Sequence, residues 1–261
     1  MVKMKRKGYD CRGNKEKLKE MSGEEFIAEV LNGRRNFSKI KLVDADLSNA
    51  DGFEEMNQYL REYEKDLWKE PIVINHSDFS GVKAKGLYLP YVRGIGTNFE
   101  GADLEEANFK GSGIKSDGTG IKSERAYFRD AIFQKANLEK ASLSRAYLER
   151  ANFRGASLKG ADLQKAYLYK VNFREADLEK ASLREAYLQE ANFSGAKLRE
   201  AYFEKAFLWR ADLQRAILER ANFEMANFEG ANLDGAILYI IPIRNLLCSN
   251  FSGSRESFEL W

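Results

Sequence analysis

The chain has 261 residues, of which 44% are apolar and 31% are charged, with 42 Lys and Arg against 40 Asp and Glu. This near-neutral balance argues against strongly polyanionic or polycationic behaviour, and the apolar content excludes wholesale disorder. No apolar run approaches the roughly 20 residues that span a bilayer, and no signal peptide is recognisable, so a cytoplasmic protein without a membrane span is expected. Cys11 and Cys248 lie far apart, which fits neither a disulfide framework nor a metal cluster.

Two short segments open the chain. Residues 1–21 are predicted to form a basic, flexible tail, because residues 1–20 hold eight Lys or Arg and three Asp or Glu, a net charge of +5. Contact of this tail with phosphates or anionic lipid is the alternative. Residues 22–33 are predicted to form a short capping helix, since Ser22 to Glu25 make a capping box and an apolar helical face follows, ending at Asn32-Gly33.

Apolar residues spaced five apart begin in residues 34–50, with Phe37, Leu42 and Leu47. An insertion over 51–71 interrupts them. Its apolar residues have helical spacing and are Phe53, Met56, Leu60, Tyr63 and Leu67. This spacing predicts one amphipathic helix ended by Pro71, with an apolar stripe that docks on the flank of the protein's own fold or on a partner.

Residues 72–125 resume the five-residue spacing irregularly, with centres from Ile74 to Ile114. The step from Ile114 to Phe128 falls one residue short of three whole units. The Gly, Ser and Lys-rich stretch 111–125 is therefore expected to absorb the slip, either as a loop or as a distorted coil face.

Residues 126–240 divide into 23 consecutive five-residue units whose third residue is always Leu or Phe. The first residue is Ala in 22 units, and Val171 is the exception. A step of five advances about 140° around an α-helix and reverses the face in a continuous strand, so neither element explains the pattern. A short extended piece followed by a bend of about 90° keeps the first and third residues inward. Four such bends predict a square coil of four units, in which position i+20 lies above position i.

Residues 20 apart then stack on one side of the coil, and three columns support this register. The second positions give an aromatic series, which is Tyr127, Tyr147, Tyr167, Tyr187 and Phe207. The third positions give a predicted core ladder of Phe133, Phe153, Phe173 and Phe193. An outward column alternates in sign, as stacked coils require because facing like charges are destabilising: Glu139, Lys159, Glu179, Arg199 and Glu219.

Units such as Ala136-Asn137-Leu138 and Ala161-Asp162-Leu163 resemble the A-(D/N)-L-X-X units of the pentapeptide-repeat family. The resemblance covers most of residues 35–240 and implies an all-β solenoid, a right-handed quadrilateral β-helix. The helix at 22–33 is predicted to plug its open start. Residues 126–248 are predicted to form the regular β-helix, with Cys248 buried, and 249–261 a cap or tail that covers the last coil or meets a second subunit.

The sequence contains no pattern typical of a catalytic, metal-binding or cofactor-binding site, so we expect that the protein is not an enzyme and binds no small-molecule substrate. The one histidine, His76, is predicted to be a surface or corner residue. No His or Cys cluster has the spacing of metal ligands, and the phosphate-loop pattern is absent. The carboxylates alternate with Lys and Arg, which is typical of solvated ion pairs.

The aromatic column is the most distinctive outward feature, and Tyr169 and Trp209 lie two residues beyond two of its members. Together these residues form the candidate interaction face: Tyr127, Tyr147, Tyr167, Tyr169, Tyr187, Phe207 and Trp209. Arg150, Lys170 and Arg210 are expected to flank it. The alternatives are a ladder that only stabilises the fold, a surface covered by the inserted helix, and, least favoured, a nucleic-acid platform.

The leading prediction is a structural scaffold that binds a protein partner or self-associates as a homodimer through its C-terminal coil. The second hypothesis comes from the resemblance, since some family members mimic DNA and bind DNA gyrase. That activity requires an acidic rod, whereas residues 126–240 contain 18 Lys and Arg and 16 Asp and Glu. A nucleic-acid-binding platform is the third hypothesis.

Overall fold

The computed structural model describes residues 18–238 except 44, 68, 110–112, 117–120 and 125, and only the backbone of 113–116 and 121–124. Most of this chain winds into a coil, and successive turns are joined by parallel β-bridges between positions i and i+20, such as Tyr127 to Tyr147 and Ile132 to Asn152. The predicted 20-residue register is therefore observed; the right-handed sense stays a prediction. Predictions for residues 1–17 and 239–261, including Cys11 and Cys248, lie outside the described residues.

Four sides repeat in every coil. Side 1 starts at Ala126, side 2 at Ala131, side 3 at Ala136 and side 4 at Ala141, and each recurs four units later. The fourth and fifth residues of a unit turn the corner to the next side. We name corners by the sides they join, so the 1/2 corner follows side 1 and the 4/1 corner follows side 4.

The core lies inside the coil and consists of the first and third residues of the units. Ala at the first position and Leu or Phe at the third are almost all fully buried from Ala126 to Phe228. On side 2 the rings of Phe133, Phe153, Phe173 and Phe193 stack, with centroids 4.7, 5.1 and 5.1 Å apart. Burial of each such side chain contributes about 1.5–3 kcal/mol, so the repeat itself supplies a continuous core.

Main-chain hydrogen bonds connect each unit to the coils before and after it. The second-position N–H of Tyr147 donates to the Ala126 carbonyl at 2.8 Å, and the third-position N–H of Phe128 donates to the Tyr147 carbonyl at 2.7 Å. At the fifth position, the N–H of Asp130 donates to the Glu149 carbonyl at 3.0 Å. These bonds satisfy the main chain without long strands, because every unit pairs with the same unit one coil away.

The fourth-position N–H is satisfied by a side chain where the second residue is Asn or Asp. In the unit of Asn152, the side-chain Oδ1 accepts from the N–H of Arg154 at 3.1 Å, and Asn172 and Asp212 act in the same way. Such a bond is an Asx turn, in which a short side chain replaces a main-chain acceptor. This contact explains physically why Asn and Asp recur at the second position.

Each corner places its fifth residue in the left-handed region of backbone conformation. Asp130, Lys165 and Met225 have φ of 58°, and Gly160 has φ of 63°. The next first-position N–H closes the turn, as Ala131 donates to the Phe128 carbonyl at 3.1 Å. A single positive φ at the third turn residue is the signature of a type II turn, so each corner carries a small strain unless its fifth residue is glycine.

Two insertions interrupt the register; the first follows side 3 and the second follows side 4, and both return to the coil where side 1 begins. Across the first, the bridge from Asn36 to Val73 joins positions i and i+37, and the insertion forms α2 (Phe53–Glu62) and α3 (Glu64–Leu67). The single helix predicted for this segment is thus broken at Tyr63. None of the helices in the described part of the chain is long and apolar enough to cross a membrane.

The second insertion forms an antiparallel hairpin of β3 (Gly113–Ser116) and β4 (Ile121–Glu124). The bridge from Arg93 to Tyr127 across it joins positions i and i+34. The prediction that Ile114 continues the repeat centres is wrong, because Ile114 pairs with Ser123 in this hairpin. The coil itself continues directly beneath, since the Phe99 and Phe133 rings stack at 5.1 Å.

The N-terminal end of the coil is covered by two pieces of chain, a strand and a helix. The strand β1 (Lys19–Met21) pairs in parallel with β2 (Ile40–Leu42) on side 2. The helix α1 (Gly23–Leu31) begins after Ser22, whose hydroxyl accepts from the Glu25 N–H at 3.1 Å. Its Phe26 contacts Phe37, with ring centroids 4.7 Å apart. These contacts close the apolar end of the core and pair an exposed β edge.

The first coil has no extended segment on side 4. The side chain of Asn57 in α2 makes hydrogen bonds to the next coil there instead. The buried Asn57 side chain accepts from the Tyr88 N–H at 2.9 Å and donates to the Gly86 carbonyl at 3.3 Å. One coil later, the equivalent N–H of Asn108 donates to the Leu87 carbonyl. The amide of Asn57 therefore replaces the main chain of the missing side.

Introducing a β-branched residue at a corner whose fifth residue is glycine tests whether the positive φ there strains the backbone. Gly160→Val should lower the free energy of unfolding by about 1–3 kcal/mol, because valine is disfavoured at positive φ even where space is open. Urea denaturation followed by circular dichroism measures the change. Ser182→Val is the matched control, since its second-position backbone is extended, and it should change stability little; equal losses would contradict the corner assignment.

Substituting Asn57 tests the side-chain cap. Asn57→Leu keeps the volume but leaves the Tyr88 N–H and the Gly86 carbonyl without a partner, at about 1–3 kcal/mol for each buried group. Thermal unfolding compared with the exposed neighbour variant Gln58→Ala measures the loss. Hydrogen exchange at Tyr88 should accelerate in Asn57→Leu alone; unchanged protection there would show that the cap is not needed.

Candidate interaction surface

The predicted aromatic column forms a stacked ladder on side 1. Ring centroids of Tyr127, Tyr147, Tyr167, Tyr187 and Phe207 follow each other at 4.8, 4.7, 4.5 and 5.1 Å, with interplanar angles between 10° and 29°. The coil spacing sets this distance, because each ring sits directly above the previous one. Since each inner ring is covered on both faces by its neighbours, the ladder presents ring edges outward.

The inserted helices lie elsewhere and do not cover this ladder. Arg61 of α2 stacks over Tyr88 on side 4, with its guanidinium carbon 5.0 Å from the ring centroid. Glu64 of α3 accepts hydrogen bonds from the hydroxyls of Tyr88 and Tyr91. Burial and the bond to Glu64 raise the pKa of Tyr88 well above its ordinary value. The helices thus dock on the protein's own flank at the first side-4 strand.

Two further aromatic residues stand beside the ladder at the 1/2 corner, two coils apart. Tyr169 is 36% exposed and Trp209 is half-buried. The Lys170 ammonium lies 4.9 Å from the Tyr169 ring centroid, and the Arg210 guanidinium carbon lies 4.2 Å from the Trp209 ring. Both distances fit cation–π contacts, so each aromatic is held by the cation that follows it.

The two cations differ in their other contacts. Lys170 also pairs with Glu190 at 3.3 Å, and hydrogen bonds to Tyr169 and then Glu190 raise the pKa of Lys170. Arg210 has no acidic partner within the described part of the chain. Arg150, the third predicted flanking cation, is held by two 2.7 Å bonds to Asp130. Arg210 is therefore the cation of this corner that is available to an outside anion.

The same corner carries main-chain donors that the sequence pattern did not reveal. Tyr and Phe at the second position cannot form the Asx turn, so over five consecutive coils the fourth-position N–H groups have no acceptor within the described residues. These belong to Arg129, Glu149, Tyr169, Gln189 and Trp209. The Asx turn returns at Asn227, which accepts from the Glu229 N–H at 2.9 Å. The absence of Asn or Asp from one column is the signal that indicates such a row.

Many charges on the outside are paired between coils, and the totals on each side differ by at most one. Residues one coil apart form ion pairs, such as Lys165 with Glu185 at 3.4 Å and Arg199 with Glu219 at 2.9 Å. In the predicted alternating column, Lys159 instead pairs with Asp177 at 3.6 Å. Over residues 126–238, sides 1 to 4 carry four, four, six and four basic residues against four, three, five and four acidic ones. No side is acidic or basic as a whole.

Comparison with known families decides the classification. The description "Pentapeptide repeats (8 copies)" matches residues 77–112, 131–168, 166–204 and 196–235, which together make up more than half of the chain. The chain belongs to the pentapeptide repeat family. None of the curated proteins matches the sequence significantly.

Several solved pentapeptide repeat structures are similar to this protein. HetL from the cyanobacterium Nostoc sp. strain PCC 7120, involved in heterocyst differentiation regulation, is 26% identical over 84% of this chain and 93% of its own, with a TM-score of 0.37. Trypsin-treated QnrB1, a plasmid-mediated fluoroquinolone resistance protein, is 19% identical over 66% and 85%, with a TM-score of 0.42. Rfr23 from the cyanobacterium Cyanothece 51142 is 27% identical over 56% and 90%, with a TM-score of 0.29.

In this pentapeptide repeat protein, the residues whose side chains could take part in catalysis lie against the protein's own main chain. His76 is exposed at a corner with φ of 55°, beside the backbone of Gly96. The buried hydroxyls of Ser77 and Thr97 donate to main-chain carbonyls of Phe37 and Ile74. Within the described residues, no group of three or more His, Cys, Asp or Glu is placed to hold a metal ion.

The ladder's contribution to stability can be measured by comparing an inner ring with an end ring. Tyr167→Asn removes two stacked neighbours and should lower the free energy of unfolding by about 0.4–2 kcal/mol. Tyr127→Asn removes one stacked neighbour and should lower the free energy of unfolding by about half as much. Asn is chosen because the second position accepts it on side 2. Equal losses in urea denaturation would show that the rings do not act as a ladder.

Proposed function

We propose that this pentapeptide repeat protein is a non-enzymatic scaffold that binds a partner protein along the 1/2 corner. The observation that carries the proposal is the pairing of Tyr169 with Lys170 and of Trp209 with Arg210, two coils apart on one edge. Trp, Tyr and Arg are the residues that most often dominate the binding energy of protein interfaces. On the other corners, the fourth-position residues from Gln134 to Asp234 are polar or charged.

The rigidity of the surrounding coil supports this assignment. Tyr169 and Trp209 stand on main chain that is bonded to the neighbouring coil, since the Arg150 N–H donates to the Tyr169 carbonyl and the Glu190 N–H donates to the Trp209 carbonyl, both at 2.9 Å. A preordered surface loses little conformational entropy when a partner binds. The row of main-chain N–H donors and the Arg210 guanidinium favour a partner that presents carboxylates or main-chain carbonyls at this edge.

The aromatic corner can be tested with immobilised protein and a cell extract. Trp209→Ala should reduce retention of a specific partner at least tenfold, which corresponds to about 1.4 kcal/mol, and Tyr169→Ala should act in the same direction. Gln189→Ala, between them on the same edge, and Gln214→Ala, on side 2, are matched controls that should bind like the wild type. Circular dichroism checks that all variants fold.

A captured protein is then purified and its affinity measured by titration calorimetry with each variant. The proposal fails if the Trp209 and Gln214 variants bind it equally well, since binding would then not use this corner.

The DNA-mimic hypothesis has less support, because mimicry of a phosphate backbone needs rows of acidic groups and every side is balanced in sign. Inhibition or protection of gyrase supercoiling by a stoichiometric excess of protein would reverse this ranking.

The nucleic-acid platform is also disfavoured, since bases stack on open ring faces and the inner ladder rings have none. Salt-sensitive retention of DNA or RNA would support it.

A further inference from the structure

Tyr169 and Trp209 are separated by two coils, and this distance restricts the kind of partner segment that can contact both. Successive coils of side 1 are one strand spacing apart, about 4.8 Å. The ring centroid of Tyr187 lies 4.5 Å from that of Tyr167 and 5.1 Å from that of Phe207. Because Tyr169 and Trp209 occupy the same position of their units, a partner meets them about 9.6 Å apart along the coil axis.

The coil between the two aromatic residues carries a shorter, polar side chain. Gln189 occupies the equivalent position and is half-buried, whereas Tyr169 is 36% exposed. The Tyr169 hydroxyl donates to the Glu190 carboxylate at 3.2 Å, and Lys170 also pairs with Glu190. The edge therefore presents an aromatic residue on either side of a lower polar step.

The regular conformations of a peptide can be compared with this distance. Side chains on one face of a β-strand repeat every two residues, at about 6.6–6.8 Å. Two turns of an α-helix advance about 10.8 Å, which exceeds two coils by about 1.2 Å. A polyproline II helix has three residues per turn and a rise of about 3.1 Å, so one face repeats at about 9.3 Å. Its repeat agrees with two coils to within about 0.3 Å.

The main-chain donors of the 1/2 corner fit the same conformation. The N–H groups of Tyr169, Gln189 and Trp209 have no acceptor within the described residues. A polyproline II helix makes no internal hydrogen bonds, so all its carbonyls can accept from outside donors. Carbonyls on one face of that helix recur at the distance that separates the Tyr169 and Trp209 N–H groups.

The available charge lies at the Trp209 end of this edge. The Arg210 guanidinium carbon is 4.2 Å from the Trp209 ring centroid, and the Arg210 main-chain N–H donates to the Glu229 carbonyl at 2.8 Å. The guanidinium has no acidic partner in the part of the chain that the structure describes, whereas Lys170 at the other end is paired with Glu190. Charge complementarity therefore favours a partner carboxylate beside the group that contacts Trp209.

We propose that the partner protein of the proposed function presents a proline-rich segment in the polyproline II conformation, with the pattern P-x-x-P and an acidic residue beside the proline at Trp209. The segment runs along the coil axis across Gln189, and its two prolines pack on Tyr169 and Trp209. Aromatic-lined surfaces bind such segments well because the helix is preformed and loses little entropy on binding. The inference depends on partner binding at the 1/2 corner.

Matched peptides test the spacing with the full chain. The probe is acetyl-DPAAPD-amide, whose terminal Asp residues permit either chain direction, and the control DPAPAD has the same composition with prolines two residues apart. NMR titration at millimolar peptide follows the main-chain N–H of Gln189. The probe should bind at least fivefold more tightly than the control, and at least tenfold more weakly to Trp209→Ala than to the wild type. Equal affinities for the two peptides would overturn the proposal.

The acidic contact is tested by changing both of its sides. Arg210→Gln should weaken binding of the probe at least threefold but leave unchanged the binding of NPAAPN, in which Asn replaces both Asp residues. Arg215→Gln is the matched control, since Arg215 is also a fifth-position arginine with φ of 55° but lies on the 2/3 corner. Equal loss for the probe and NPAAPN would contradict a carboxylate at Arg210.

The remaining outcomes distinguish the proline-rich segment from partner binding itself. If the probe does not bind but the protein captured from extract still depends on Trp209, only the proline-rich segment is overturned, and the corner binds another conformation. If Trp209→Ala captures that protein as well as the wild type does, both proposals fail. Undiminished binding of the probe to Trp209→Ala would place the peptide elsewhere and would also overturn the proline-rich segment.

Discussion

The structure depends on one geometric constraint, which is that the chain must turn a corner every fifth residue and still pair its main-chain polar groups. Pairing is achieved between coils, so each short extended piece contributes to a parallel ladder that no single unit could form alone. Alanine suits the first position because it is small and buried where the chain leaves a corner, and Leu or Phe fills the space between opposite sides. Stability is then a property of neighbouring coils rather than of distant contacts.

The regular part of this architecture can be predicted from the sequence, because the same constraint acts on every five-residue unit. The uninterrupted Ala and Leu or Phe positions predict the square coil, and the spacing of Tyr127 and Tyr147 predicts which residues stack. The breaks are less predictable. A repeat that falls one residue short before Phe128 is as compatible with a distorted side as with the hairpin of β3 and β4. The choice depends on pairing such as that of Ile114 with Ser123, which periodicity does not encode.

The candidate surface is likewise predictable from the sequence only in part. The sequence placed Tyr169 and Trp209 beside the aromatic column, since both follow from the register. It could not distinguish a ladder with covered ring faces from an open platform, because this depends on ring tilt. Nor did it indicate that Asn57 completes a missing strand, since a polar residue within an amphipathic helix ordinarily faces solvent. Contacts between an insertion and the coil depend on three-dimensional placement, which a local pattern does not carry.

Both insertions return to the coil at the same seam, just before side 1 begins, although the first takes the place of side 4 in its coil. The core stack of Phe99 on Phe133 passes beneath the second without a gap. Added chain rejoins the coil at this seam directly before side 1, and the columns of the following coils keep their alignment. Proteins of this design can acquire projecting elements along one edge while conserving the surfaces of the other sides. The position of new elements is set by the seam, and their length is free to vary.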